Sequence, residues 1–156
     1  MSKIIGLATL LLIVATGCFR GTAPDNVEMY PKVSQRFNIN SVEEFYDFLT
    51  YSENSYPLIS AHRGGGFPDY PENCIASFAE LAREMPVIIE CDVRMTKDSV
   101  LVLMHDETLN RTSTGKGKVI NKTYAELKDL KLKDSEGQVT RYGIPTLEQA
   151  LIWGKN

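Results

Sequence analysis

Between residues 57 and 106 the chain sets four polar clusters beside short apolar runs, and this arrangement restricts its fold more than any other feature. His62-Arg63-Gly64 ends the run Leu58 to Ala61, Glu90-Cys91-Asp92 follows Val87-Ile88-Ile89, and His105-Asp106 follows Val100 to Met104. Pro71-Glu72-Asn73 lies on the connection between the first two runs. The runs are short, rich in β-branched residues and bounded by turn residues, which reads as buried strands. Between the first two, Ile75, Phe78, Ala79 and Ala82 recur at helical spacing, with Asn73 placed to cap the helix and Pro86 to stop it. Strand, helix, strand predicts a parallel sheet with helices outside it. The carboxyl ends of such strands are where barrel enzymes keep their chemistry.

Side chains alternate along a strand, so Glu90 and Asp92 are expected to face one way and Cys91 the other. Two carboxylates beside an apolar strand are costly unless a cation or donors compensate them. Oxygen ligands suit a hard divalent ion such as Ca2+ or Mg2+. A solvated acidic strand end, or an ion pair with Arg94, would also account for them. The chain has two histidines, His62 and His105, and both stand at expected strand ends. Either alone would read as a polar residue satisfied at a strand terminus. Together they offer one group to accept a proton and one to donate it, as substitution at phosphorus requires. Arg63 carries a planar fork suited to a phosphate oxygen pair.

The rest of the chain frames this region. Lys3, an apolar run from Ile4 to Val14 and the small residues leading into Cys18 read as a secretion signal of residues 1–18. The run is shorter than the roughly 20 residues of a spanning helix. It resembles a bacterial lipoprotein signal, with Cys18 as the lipidated first residue of the mature chain, although Ala15 stands where such signals more often carry Leu. That implies a protein anchored by lipid to the bacterial cell envelope, on its periplasmic or extracellular face. Residues 19–56 read as a tether followed by a short capping helix, which a Ser41-Val42-Glu43-Glu44 capping box begins. Thr123 to Glu126 starts another short helix, Lys131 to Tyr142 is mostly polar, and Thr146 to Gln149 caps a last helix ending at Gly154. A formal charge of −3 leaves no basic footprint for nucleic acid. Cys74 and Cys91 lack metal-ligand spacing and read as small buried thiols.

In order, the segments His62-Arg63-Gly64, Pro71-Glu72-Asn73, Glu90-x-Asp92 with Thr96-Lys97-Asp98, His105-Asp106-Glu107-Thr108-Leu109-x-Arg111-Thr112 and Ile144-Pro145-Thr146-Leu147-Glu148 resemble the glycerophosphodiester phosphodiesterase family. The resemblance runs from about Leu58 to Trp153. It implies an α/β fold, a (β/α)8 TIM barrel, in which His62 and His105 form the acid/base pair and Glu90 and Asp92 hold calcium or magnesium. Arg63 would face the phosphate, and Glu72 would stand at the substrate or help hold Arg63. The loop from Thr108 would begin an insertion that shapes the pocket. Cys74 stands where the family usually has Thr, and Cys91 where a larger apolar residue is common.

The implied reaction converts a small-molecule glycerophosphodiester to glycerol 3-phosphate and an alcohol. One histidine would deprotonate the glycerol 2-hydroxyl for attack on phosphorus, the other would protonate the leaving alcohol, and water would open the cyclic intermediate. A relative acting on lysophospholipid or sphingomyelin with the same histidine pair is the enzymatic alternative. A barrel of this type takes about 250 residues, whereas about 100 follow Pro57. The chain is therefore expected to represent only the barrel's first strands and helices, ahead of a strand that in this family adds an acidic ligand and a lysine. Unpaired strand edges would follow. An inactive, truncated lipoprotein fragment is the rival reading from a different class.

Overall fold

The computed structural model describes residues 30–32, 36–53, 55 and 57–155. The signal segment and Cys18 lie outside the described residues. Helix α1, Val42–Leu49, starts as the sequence suggests: the Ser41 hydroxyl accepts from the Glu44 N–H at 3.1 Å, and the Glu44 carboxylate accepts from the Asn40 N–H at 2.7 Å. These bonds occupy donors that the first helical turn leaves open.

Strand β1, Ser60–Ala61, pairs in parallel with β2, Ile88–Ile89, through helix α2, Ile75–Glu84. This is the strand, helix, strand unit expected from the sequence. Three details differ. The helix begins at Cys74 without a side-chain cap, because Asn73 bonds elsewhere. The strand after Pro86 ends at Ile89, so Glu90 and Asp92 lie beyond it rather than within it. The chain then re-enters a strand, β3, Val93–Met95, which turns back through Thr96 to Ser99 and pairs antiparallel with β4, Leu101–Leu103. The turn is built by Asp98, whose carboxylate accepts from the Thr96 hydroxyl at 2.6 Å and from the Tyr124 N–H at 3.0 Å.

Thr123 caps helix α3, Tyr124–Leu127, with the reciprocal bonds of a capping box. Strands β5, Lys131–Lys133, and β6, Val139–Gly143, form an antiparallel hairpin where the sequence reading saw a mostly polar stretch. Only Leu132 of β5 is deeply buried, so the alternation that marks a strand is carried by very few apolar residues. Helix α4, Leu147–Lys155, starts with reciprocal Thr146 and Gln149 bonds at 2.8 and 3.0 Å and runs past Gly154.

Two buried clusters hold these pieces in place. One gathers Cys74, Val102, Met104, Leu109, Leu127, Leu132 and Ile144, tying β4 to the loop and hairpin that follow it. The other packs Ile75, Phe78, Ala79 and Ala82 of α2 against Leu103 and Trp153, with the Phe78 and Trp153 rings 6.1 Å apart. Successive side chains of β4 therefore serve opposite clusters, Val102 the first and Leu103 the second. Tyr30 packs against both, and the Trp153 indole donates to the Pro31 carbonyl at 3.0 Å. Among the described residues no helix is long and apolar enough to cross a membrane.

Candidate active site

His62 and Arg63 leave β1 in a tight turn with non-helical backbone at Arg63, closed by the Gly65 N–H donating to the His62 carbonyl at 2.9 Å. Arg63 has φ +54 and opens a run of four successive residues at positive φ, followed by Gly64 at +72, Gly65 at +94 and Gly66 at +37. Such a backbone is uncommon for a residue with a side chain and is found at functional sites, where surrounding contacts hold it in place. Here the Arg63 N–H donates to Glu90 Oε2 at 2.9 Å, and the Arg63 carbonyl accepts from the Asn73 N–H at 2.8 Å. Gly64 packs on α2 so tightly that a β-carbon would lie 2.1 Å from Phe78 Cδ1.

Asn73, itself at φ +53, faces Asp92 instead of capping α2. Its amide donates to Asp92 Oδ2 at 3.0 Å and its carbonyl accepts from the Asp92 N–H at 2.8 Å. The Arg63 Nε stands 3.5 Å from Asp92 Oδ2, an ion-pair distance, but it is buried without a hydrogen-bond partner. Glu90 and Asp92 thus meet on Arg63, although not through strand alternation. Arg94 makes no ion pair with them; its Nε and Nη2 donate to the His105 carbonyl at 3.0 and 2.6 Å.

The remaining contacts form a chain of alternating charge. Glu72 Oε1 accepts from Arg63 Nη1 at 3.2 Å and from Arg111 Nη2 at 2.8 Å, while Oε2 accepts from Arg111 Nη1 at 3.0 Å. Arg111 grips Asp106 as well, with Nε to Oδ2 at 2.9 Å and Nη2 to Oδ1 at 2.8 Å. Asp106 Oδ1 lies 2.9 Å from His105 Nδ1. Arg111 and the His105 ring hold the Asp106 carboxyl well below the usual carboxylate range, against a smaller upward push from burial. Burial pushes Glu72 up, but hydrogen bonds and charge from Arg111 and Arg63 outweigh it and leave the group lowered.

The structure therefore joins Arg63, Glu72, Glu90, Asp92 and His105 through shared partners. His62 is exposed beside them, and among the described residues no hydrogen bond links the two histidine rings. Arg111 and Asp106 carry the network yet received no role from the sequence alone. Both stand within the segment that begins at His105, and their spacing of five residues was the available signal. Burial raises the Cys74 and Cys91 thiols to about 11, helped at Cys91 by the Glu90 and Asp92 charges, and neither forms a disulfide among the described residues.

Residues 62–156 match the model of the glycerophosphoryl diester phosphodiesterase family. The chain belongs to that family. A crystal structure of a glycerophosphoryl diester phosphodiesterase from Parabacteroides distasonis shares 48% identity with it at a TM-score of 0.73, over 75% of this chain and 41% of that one. A glycerophosphodiester phosphodiesterase of Bacillus altitudinis is 42% identical over 97 residues, which are 60% of this chain and 38% of the relative. An Oleispira antarctica phosphodiesterase, solved in complex with the product sn-glycerol-3-phosphate, is 34% identical with a TM-score of 0.53, over 64% of this chain and 40% of that one. The chain thus spans well under half the length of these relatives. Its fold is α/β, and its elements are the first strands and helices of the family's (β/α)8 barrel.

A hard divalent cation would suit the carboxylates of Glu90 and Asp92. Glu90 and Asp92 each use one oxygen in the contacts above, and among the described residues no hydrogen bond reaches Glu90 Oε1 or Asp92 Oδ1. The Arg63 Nε buried beside Asp92 is an orphaned donor at the same place. Oxygen donors of this kind match calcium or magnesium in chemistry, but they are two of the six to eight that calcium takes. Among the described residues no cluster of three or more ligating side chains forms.

Proposed function

We propose that this chain carries part of the active site of an enzyme that hydrolyses glycerophosphodiesters to glycerol 3-phosphate and an alcohol. The observation that carries the reading is the His105, Asp106, Arg111, Glu72, Arg63 network beyond the ends of β1 and β4, within a family match that covers the same residues. The product complex of the Oleispira antarctica relative supports the substrate class.

In this reading His62 and His105 exchange protons with the reacting oxygens. The ionised Asp106 can only accept a hydrogen bond, so His105 Nδ1 carries the hydrogen and a neutral His105 presents its Nε2 lone pair. Arg63, whose guanidinium already stands between Glu72 and Asp92, turns its remaining donors to the phosphate. Glu72 positions Arg63 and Arg111 rather than carrying the proton, since two guanidinium groups keep it ionised. Glu90 and Asp92 would hold Ca2+ or Mg2+, which supplies positive charge against the phosphate oxygens. Residues 1–18 would act as a signal and lipid-anchor the mature chain at Cys18 to the bacterial cell envelope, with residues 19–56 as tether and capping helix and 57–156 as the barrel portion.

Substitution of either histidine tests the assignment. His62→Ala and His105→Ala are each expected to lower glycerol 3-phosphate release by about a hundredfold or more, the range of general acid–base catalysis. Activity within about tenfold of wild type in either variant would remove that histidine from the mechanism.

A further inference from the structure

Arg111 offers five N–H donors, and three of its nitrogens meet four carboxylate oxygens on two residues that are far apart in sequence, Glu72 and Asp106. We propose that Arg111 is the positioning residue for His105: anchored on Glu72, it grips both oxygens of Asp106 and so fixes the carboxylate that holds His105 in its Nδ1–H tautomer. The inference rests on the reading of His105 as a proton-transfer group and adds a residue to it.

The geometry favours this over a plain surface ion pair. Asp106 and His105 are adjacent in sequence, and the Asp106 side chain keeps about a quarter of its surface in water. A carboxylate so placed has a solvated alternative to the His105 bond, and an exposed hydrogen bond alone holds it weakly. The two parallel bonds from Arg111 remove that rotation, because a planar fork fixes the plane of the carboxylate as well as its position. Arg111 is itself fixed by the second pair of bonds to Glu72, which the Arg63 guanidinium holds from the other side. Arg94 secures the other end of His105 by its two bonds to the carbonyl. Ring and backbone of this histidine are therefore clamped by separate arginines. The bidentate grip matters more than the charge, so lysine is not an equivalent.

The tautomer is read directly from long-range 1H–15N correlations of the imidazole rings in the whole chain, recorded at a pH where the spectra themselves show both rings neutral. With two histidines the spectrum is assigned by His62→Gln. Wild type is expected to show His105 as Nδ1–H. Arg111→Gln is expected to move it to a mixture dominated by Nε2–H, the form neutral histidine favours in water, and Arg111→Lys to move it in the same direction. Retention of Nδ1–H in both variants, or an Nε2–H ring in wild type, would overturn the proposal. If Arg111→Gln fails to fold, Arg111→Lys decides alone. Glycerol 3-phosphate release measured on the same samples is expected to fall in kcat by about tenfold with KM nearly unchanged. Absence of release by wild type with the tautomers as expected would count against the hydrolytic reading and leave the clamp intact.

Discussion

Asn73 and Asp92 bond to each other twice, side-chain amide to carboxylate at 3.0 Å and backbone N–H to side-chain carbonyl at 2.8 Å. The pair fastens the segment before α2 to the segment after β2, and thereby places Asp92 against Arg63. Asn73→Ala removes both bonds and leaves a small residue at positive φ, which L-residues adopt at a cost. The expected loss is about 2 kcal/mol, summing the strain and the unsatisfied Asp92 groups. Urea unfolding followed by fluorescence of Trp153, the chain's one tryptophan, measures it. A loss below about 0.5 kcal/mol, the level of an ordinary surface change, would show that the pair does not hold the two segments.

Gly64→Ala is expected to cost more than Gly117→Ala. Both glycines have positive φ, at +72 and +89, but a β-carbon at Gly64 meets Phe78 at 2.1 Å whereas nothing lies within 4 Å of one at Gly117. The difference isolates overpacking from backbone strain and is expected at about 2 kcal/mol. Equal unfolding midpoints for the two variants would contradict the packing of the His62 turn on α2.

Asp106 and Glu72 both have lowered pKa values in the folded chain. An unfolded chain binds their protons more readily, so the stability they confer is complete above the ordinary carboxylate range near about pH 4. It is lost as pH falls from there through the lowered folded values. Urea midpoints measured between pH 6 and pH 3 should fall for wild type and fall less steeply for Arg111→Gln. Parallel slopes would mean that Arg111 does not supply the shift.

Cys74 and Cys91, with thiols pushed up to about 11, are expected to resist a disulfide reagent at pH 8 in the folded chain and to react on unfolding. Peptide mass mapping after brief labelling distinguishes the two positions. Rapid native labelling of Cys74 would contradict its burial in the first core cluster.

Much of this architecture was legible in the residues. The apolar runs form strands over Ser60–Ala61, Ile88–Ile89 and Leu101–Leu103, although Leu58, Ile59 and Leu101 are exposed rather than buried. The helical repeat from Ile75 to Ala82 and the Ser41, Thr123 and Thr146 caps take the expected form. Local preference and tertiary demand agree at those positions. Asn73 misled because a polar residue ahead of a helix is ordinarily a cap, whereas here a bond to a residue 19 positions away takes its side chain. The β5 and β6 hairpin was missed because its outward face is polar and its strands short. Glu90 and Asp92 each contact Arg63, the first at its backbone N–H and the second at Nε, contacts that strand periodicity could not reveal. Arg111 shows the same limit, since its significance lies in a contact with Glu72 across 39 residues.

The central claim is tested most directly by 31P NMR of glycerophosphocholine incubated with Ca2+ or Mg2+ and the native gene product, recovered whole from its own cells. Conversion of the diester signal to that of glycerol 3-phosphate, stopped by a chelator and by His105→Ala, is the expected result. An unchanged diester signal at high protein concentration with either metal, from a chain whose Trp153 fluorescence shows a cooperative unfolding transition, would contradict it.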